Sequence, residues 1–196
     1  NIVEVELNGS HGRAKSSPFG LRGTSVDLSD VFQLRPNSIS LSRLPPYLGW
    51  DTLEKNFFSA WGEVVRLSGN IAPSRIGVRY LNRIDIPGVT GPLLPSEYVA
   101  GFPDTPAGFP EPTTIQASHL EGVLDRFHCS YMTNVSTVAS PLVDHSSLQV
   151  DVDVFTQGDL PMKPGLLLDL TRELREAKNY LFEILVTDKA REIFDK

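Results

Sequence analysis

The segment from Arg75 to Ile86 constrains the fold more than any other stretch of this 196-residue chain. Ile76, Val78, Tyr80, Ile84 and Ile86 fall on every second position, and Arg75, Gly77, Arg79, Leu81 and Arg83 fall between them. A period of two belongs to an extended strand, whose successive side chains point to opposite faces; a helix would scatter both sets around its axis. The pattern predicts a long strand with one apolar face and one arginine-bearing face, stopped by Pro87-Gly88.

The same periodicity places the other elements. Ile2 to Leu7 alternates as a half-buried strand, and the polar stretch from Gly9 to Pro18 reads as a hairpin loop. Phe19 to Val26, Val31 to Arg35 and Ser38 to Leu44 read as strands, the last two joined by the Pro36-Asn37 turn, and Pro45-Pro46 closes this meander. Leu53, Phe57, Trp61, Val64 and Val65 recur at helical spacing, which predicts a helix over 52–67 with Asp51 as N-cap, Glu54 completing a capping box and Ser68-Gly69-Asn70 as terminator. Residues 87–112 hold seven prolines and read as a long irregular excursion, a functional or mobile loop with a short helical turn near Ser96. Ile115 to Leu124 fits strand or helix; Phe127 to Val138 and Leu148 to Phe155 fit strands. A helix over 165–185 would bury Leu167, Leu170, Leu174, Ala177, Leu181 and Ile184, and Thr187-Asp188 would cap a last short helix. The expectation is one α+β domain over residues 1–196: an antiparallel sheet of about six to seven strands with two long helices packed on one face, and a weak suggestion of a duplicated strand-strand-helix unit.

Composition narrows the class of function. Apolar residues make up 40% and charged residues 21%, as in globular chains. No apolar run approaches the ~18 residues of a membrane span, and Asn1 leads straight into a strand-like segment, so neither a membrane helix nor a signal peptide is expected. The chain does not open on Met, which suggests a trimmed or absent N-terminus. The single Cys129 excludes an internal disulfide and a cysteine-based zinc site and fits a reducing, cytoplasmic compartment. Two glycosylation triplets, at Asn8 and Asn134, are of a kind common by chance. A net charge of −6 speaks against nucleic acid as a partner.

Candidate chemistry centres on the arginine face. Arg75, Arg79 and Arg83 stand at every fourth position, about 13 Å per step along a strand, and three guanidiniums in line suit a phosphate or carboxylate ligand. Asp151 and Asp153 also share one strand face, and in a neighbouring register they would pair with the arginines as an internal ion-pair ladder, the favoured alternative. The two aspartates would suit Mg²⁺ or Mn²⁺ only with a further carboxylate or substrate phosphate, so no metal or other cofactor is assigned. His11, His119, His128 and His145 lack the spacing of a zinc helix, adjacent His128 and Cys129 cannot form a nucleophile–base pair, and contiguous Asp144-His145-Ser146 cannot form a triad. Tyr47 and Trp50 offer either a recognition edge or, as favoured, packing at a helix start.

Several segments resemble a sporadically distributed family of uncharacterised bacterial and archaeal proteins. They are Gly20-Leu21-Arg22-Gly23, the Arg43, Tyr47 and Trp50 stretch, Arg75 to Ile84 with its Arg79-Tyr80-Leu81-Asn82-Arg83-Ile84 core, Asp151 to Val154, and the ending from Lys178 through Thr187 to Glu192. The resemblance implies a prokaryotic accessory protein, in the manner of defence-associated genes; members of that family usually begin with an additional strand and helix that this chain lacks. It carries no activity, cofactor or catalytic residue.

No catalytic constellation stands out, so the expected function is a non-enzymatic binding or regulatory module that engages a protein partner or small anionic ligand, with a homo-oligomer open. The alternative is an enzyme or sensor for a phosphorylated or nucleotide ligand, using Arg75, Arg79 and Arg83 as the clamp with Asp151 and Asp153.

Overall fold

A computed structural model describes residues 2–8, 11–17, 20–69, 71–88, 93–106, 108–109 and 115–194, with side chains described from residue 20 onward. The contacts gather into two compact units, Asn1–Ile71 and Ala72–Lys196.

In the first unit, β1 (Ile2–Asn8) pairs with β2 (His11–Ser17) as an antiparallel hairpin, and β3 (Leu21–Thr24), β4 (Asp30–Arg35) and β5 (Ser38–Arg43) form a separate antiparallel meander. Gly9 to Pro18 was expected to be a loop, yet most of it is strand β2. Its polar composition conceals a strand because each of its residues is held by backbone pairing to β1. His11 lies on β2, outside the described side chains.

Helix α1 (Trp50–Ser68) packs against β5. Its apolar stripe, Leu53, Phe57, Trp61, Val64 and Val65, is half-buried as the spacing requires. The expected capping box does not form. The cap is Gly49, at φ 97°, and Asp51 sits inside the first turn, where its charge suits the helix dipole. Glu54 instead accepts the indole N–H of Trp50 at 2.9 Å, both residues being buried, so Trp50 serves packing while Tyr47 stays exposed. Asp30 of β4 accepts both Nε and Nη2 of Arg43 on β5 and the amide of Asn56 on α1 at 3.1 Å, which ties the helix to the meander.

The second unit is built on a four-stranded antiparallel sheet of β6 (Arg75–Pro87), β7 (Ala117–Leu124), β8 (Cys129–Val138) and β9 (His145–Gln157), in the order β6-β9-β8-β7. β9 is interior, and Leu148, Val150, Val152 and Val154 on one of its faces are fully buried. Helix α2 (Pro164–Leu185) covers that face of β9 and β6, and α3 (Asp188–Phe194) follows, with Thr187 Oγ accepting the Ala190 amide at its start.

The α+β class and the antiparallel pairing agree with the sequence. The single six- to seven-stranded sheet does not: among the described residues the strands divide into sheets of two, three and four, and the two long helices serve different sheets. The first of these larger sheets is the meander β3-β4-β5 followed by α1, and the second contains a meander, β7-β8-β9 followed by α2, with β6 added beside β9.

The proline-rich excursion has an architectural cause. β6 and β7 occupy opposite edges of their sheet, about 14 Å apart, so the chain between them must cross its full width. Its described part is anchored. Tyr98, Val99 and Phe102 are buried, the Ala100 amide donates to Leu185 O, and the Thr187 amide donates to Tyr98 O. A 3₁₀ turn at Pro95–Glu97 stands where the short helical turn was expected.

The buried stripe of α2 is Leu167, Thr171, Leu174, Lys178, Leu181 and Leu185, at alternating steps of four and three, with Ala177 beside it. Ile184, expected in this stripe, is 52% exposed. Thr171 bonds back to Leu168 O, and Lys178 lays its ammonium over the Tyr80 ring, so two polar residues occupy stripe positions that an apolar count passes over. Truncating Leu174, which is 1% exposed, should cost about 2–5 kcal/mol in urea unfolding, whereas Ile184→Ala should stay within about 1 kcal/mol. Equal losses would mean that α2 is rotated relative to this stripe.

Candidate functional site

The face of the four-stranded sheet opposite α2 is polar and reached by solvent along both edge strands. Because β6 and β9 alternate strictly, burying Val78, Ile84 and Ile86 with the even residues of β9 sends every odd residue to this face. The register aligns two rows across all four strands. One is Leu81, Asp151, Asn134 and His119; the other is Arg79, Asp153, Met132 and Glu121.

The five residues singled out from the sequence meet here. Arg79 reaches diagonally to Asp151 with Nε at 2.8 Å and Nη2 at 2.6 Å, a bidentate pair. Arg75 reaches Asp153 at 2.9 Å, and its guanidinium stacks over Phe155, 4.2 Å from the ring centre. Gly77 sits between Arg75 and Arg79 on this face, and a Cβ there would meet the Phe155 side chain at 3.1 Å, so the small residue leaves room for the aromatic ring. Arg83 departs from the expected ladder and pairs with Asp85 on its own strand, which also accepts the Ser147 hydroxyl. For Asp85, burial acts to raise the carboxyl pKa, but the hydrogen bonds from Ser147 and Arg83 outweigh it and hold the pKa below the usual range.

Burial separates these pairs. Asp151 is 5% exposed at the side chain, whereas Arg75, Arg79 and Arg83 are 46%, 55% and 50% exposed. Each guanidinium thus has one side on a carboxylate and the other in solvent. The Asp151 hydrogen bond, followed by its charge, raises the Arg79 pKa, so that guanidinium is charged throughout the working range.

Beyond the five, the network continues to residues that sequence reasoning left aside. Asn134 points its amide nitrogen at Asp151 Oδ2, at 3.5 Å, and its Oδ1 lies 2.6 Å from His119 Nδ1, while His119 Nε2 lies 2.9 Å from Glu121 Oε1. A chain of contacts therefore runs Arg79–Asp151–Asn134–His119–Glu121 through all four strands. The available signal was parity: His119 and Glu121 share one face of β7, but that stretch fitted helix as well as strand. At the far end of the face a shallow open groove of about 330 Å³ is lined by Glu121, Val123, Ser130, Phe155 and Gln157, with Gly122 and Tyr131.

The remaining candidates lie outside this chain of contacts. His128 ends a 3₁₀ turn, at Asp125–Phe127, and Cys129 begins β8, buried, with its thiol pKa pushed up by that burial. His145 bonds Val143 O through Nδ1. Among the described residues no group of three His, Cys, Asp or Glu side chains is placed to hold a metal ion, and no helix is long and apolar enough to cross a membrane.

Lys178 is a strongly perturbed base on the covered face. Burial, then the nearby charge of Arg175, lowers its pKa to about 8, and its Nζ lies 3.8 Å from the Tyr80 ring centre. Between about pH 8 and 10.5 this side chain thus binds fewer protons in the folded protein than in the unfolded chain. Lys178 should therefore contribute a rise of roughly 1–3 kcal/mol across that window, opposed by the buried Cys129 thiol, so the stability of the wild type relative to Lys178→Met should climb with pH. A difference in unfolding free energy between wild type and variant that stays constant across the window would contradict this. On the open face, a double-mutant cycle for Arg79 and Asp151 should give a coupling of about 1–3 kcal/mol, against about 0–1 kcal/mol for the more exposed Arg75 and Asp153 pair.

No protein-family model, curated protein or solved structure matches this chain.

Proposed function

We propose that the protein is a non-enzymatic binding or regulatory module whose contact surface is the open face of the four-stranded sheet, and that its partner is another protein. The observation that carries this is the state of the three arginines: each is half exposed, yet each is already matched to a carboxylate. Counting Arg75, Arg79 and Arg83 against Asp85, Asp151, Asp153 and Glu121, the face carries no excess of positive charge. That argues against a clamp for a free phosphate and suits a partner with interspersed charges. Leu81 and Val123 stand exposed among these ion pairs and offer apolar contact. Side chains fixed before binding lose little rotamer freedom when the partner arrives. The resemblance to sporadically distributed prokaryotic proteins, and a defence-associated role with it, is compatible with such a module.

The anionic-ligand reading keeps one specific support, the Arg75–Phe155 stack beside the open groove, which would suit a planar anion. Affinity capture from the source organism separates the two. A partner held by the wild type and by a variant altered outside this face, such as Ile184→Ser, should be lost by Leu81→Asp. Retention by Leu81→Asp would contradict the protein-contact reading. So would a phosphate- or nucleotide-induced rise in melting temperature that Arg79→Ala removes.

A further inference from the structure

His119 faces two acceptors at once. Its Nε2 lies 2.9 Å from a carboxylate oxygen of Glu121, which accepts and cannot donate when ionised. Its Nδ1 lies 2.6 Å from Asn134 Oδ1. The orientation of that amide is set from its other side: the nitrogen end points at Asp151 Oδ2, and turning the amide over would set its oxygen against a buried carboxylate already bound to Arg79. Both ring nitrogens must therefore donate, and only the imidazolium has two N–H groups. A neutral ring leaves one of these short contacts as acceptor against acceptor, which has to open.

We infer that His119 is a proton-operated latch on the open sheet face, whose gain of a proton fixes Glu121 and Asn134 and whose loss releases one of them. The proton is the ligand, and the groups that feel it are few. Glu121 lies on the same strand, Asp151 and Asp153 stand on β9, and Arg79 stands beyond them on β6; β8, in between, contributes the neutral Met132, Asn134 and Ser136. With His119 charged, it and the three arginines balance Asp85, Asp151, Asp153 and Glu121, and without the proton this set carries one net negative charge; His145 stands at the other end of the face, beside Asp85. The hydrogen bond with Asn134, then that with Glu121, raises the His119 pKa, which moves the change toward neutral pH. The latch deepens the contact-surface proposal on which it rests: it makes the order and charge of that surface a function of pH.

Nitrogen NMR of the free, full chain tests the latch directly. At pH 5.5 both His119 ring nitrogens should be protonated, and the titration midpoint should lie above the ordinary value of about 6.5 and fall in Glu121→Gln and in Asn134→Ala. A midpoint at or below the ordinary value, or one that neither substitution moves, would overturn the latch. In the second arm, the captured partner should bind roughly threefold to tenfold more tightly at pH 6 than at pH 8.5, because two side chains are held in advance, and His119→Gln should flatten that profile. A wild-type profile identical to that of the variant would also overturn it. The NMR arm needs no partner, so it can fail or succeed apart from the Leu81→Asp capture test.

Discussion

Burial of Leu148, Val150, Val152 and Val154 beneath α2 is the constraint on which the larger unit depends. A strand has a period of two, so hiding these four residues sends Gln149, Asp151 and Asp153 to the opposite face. The same rule acts on β6, where burying Val78, Ile84 and Ile86 turns Arg75, Arg79 and Arg83 outward. Antiparallel pairing then brings the two odd sets together, Arg79 directly opposite Asp153 and one diagonal step from Asp151. The polar network is thus a consequence of the hydrophobic one. A slip of one residue would expose four apolar side chains and bury the carboxylates, so register and electrostatics reinforce each other.

Where local pattern and tertiary setting agree, the chain was legible. β6, β9, α1 and α2 all follow from periodicity, and so does the meeting of Asp151 and Asp153 with Arg79 and Arg75. Legibility failed where backbone pairing or long-range topology decides. β2 is polar and is held by its hairpin partner. The excursion after Pro87 is long because β7 lies across the sheet, which no local signal reveals. Ile184 looked buried because isoleucine is apolar, but the stripe of α2 runs through Thr171 and Lys178, each with a way to satisfy its polar atoms on the covered side. Arg83 was grouped with its neighbours by parity, yet Asp85 lies two residues away and captures it. His119 and Glu121 could not be placed until their stretch was known to be a strand.

The site's character follows from the contrast between its centre and its edges. Asp151, on an interior strand, is nearly hidden and is held by Arg79 from one side and approached by Asn134 from the other. On the outer strands, Arg75, Arg83, His119 and Glu121 remain in water with geometry inherited from that centre. Such a surface is ordered without being enclosed. Its mixed charge and exposed edges are of the kind found at the polar rim of protein contacts.

The register of β6 against β9 is therefore the quantity to measure. Cross-strand Hα–Hα contacts by NMR should connect alternate pairs of one series, such as Arg79 with Asp153 and Leu81 with Asp151, or Tyr80 with Val152 and Asn82 with Val150. Contacts placing Arg79 opposite Val152 or Val154 would shift the strands by one residue, turn the valines to solvent and contradict the account of both the core and the open face.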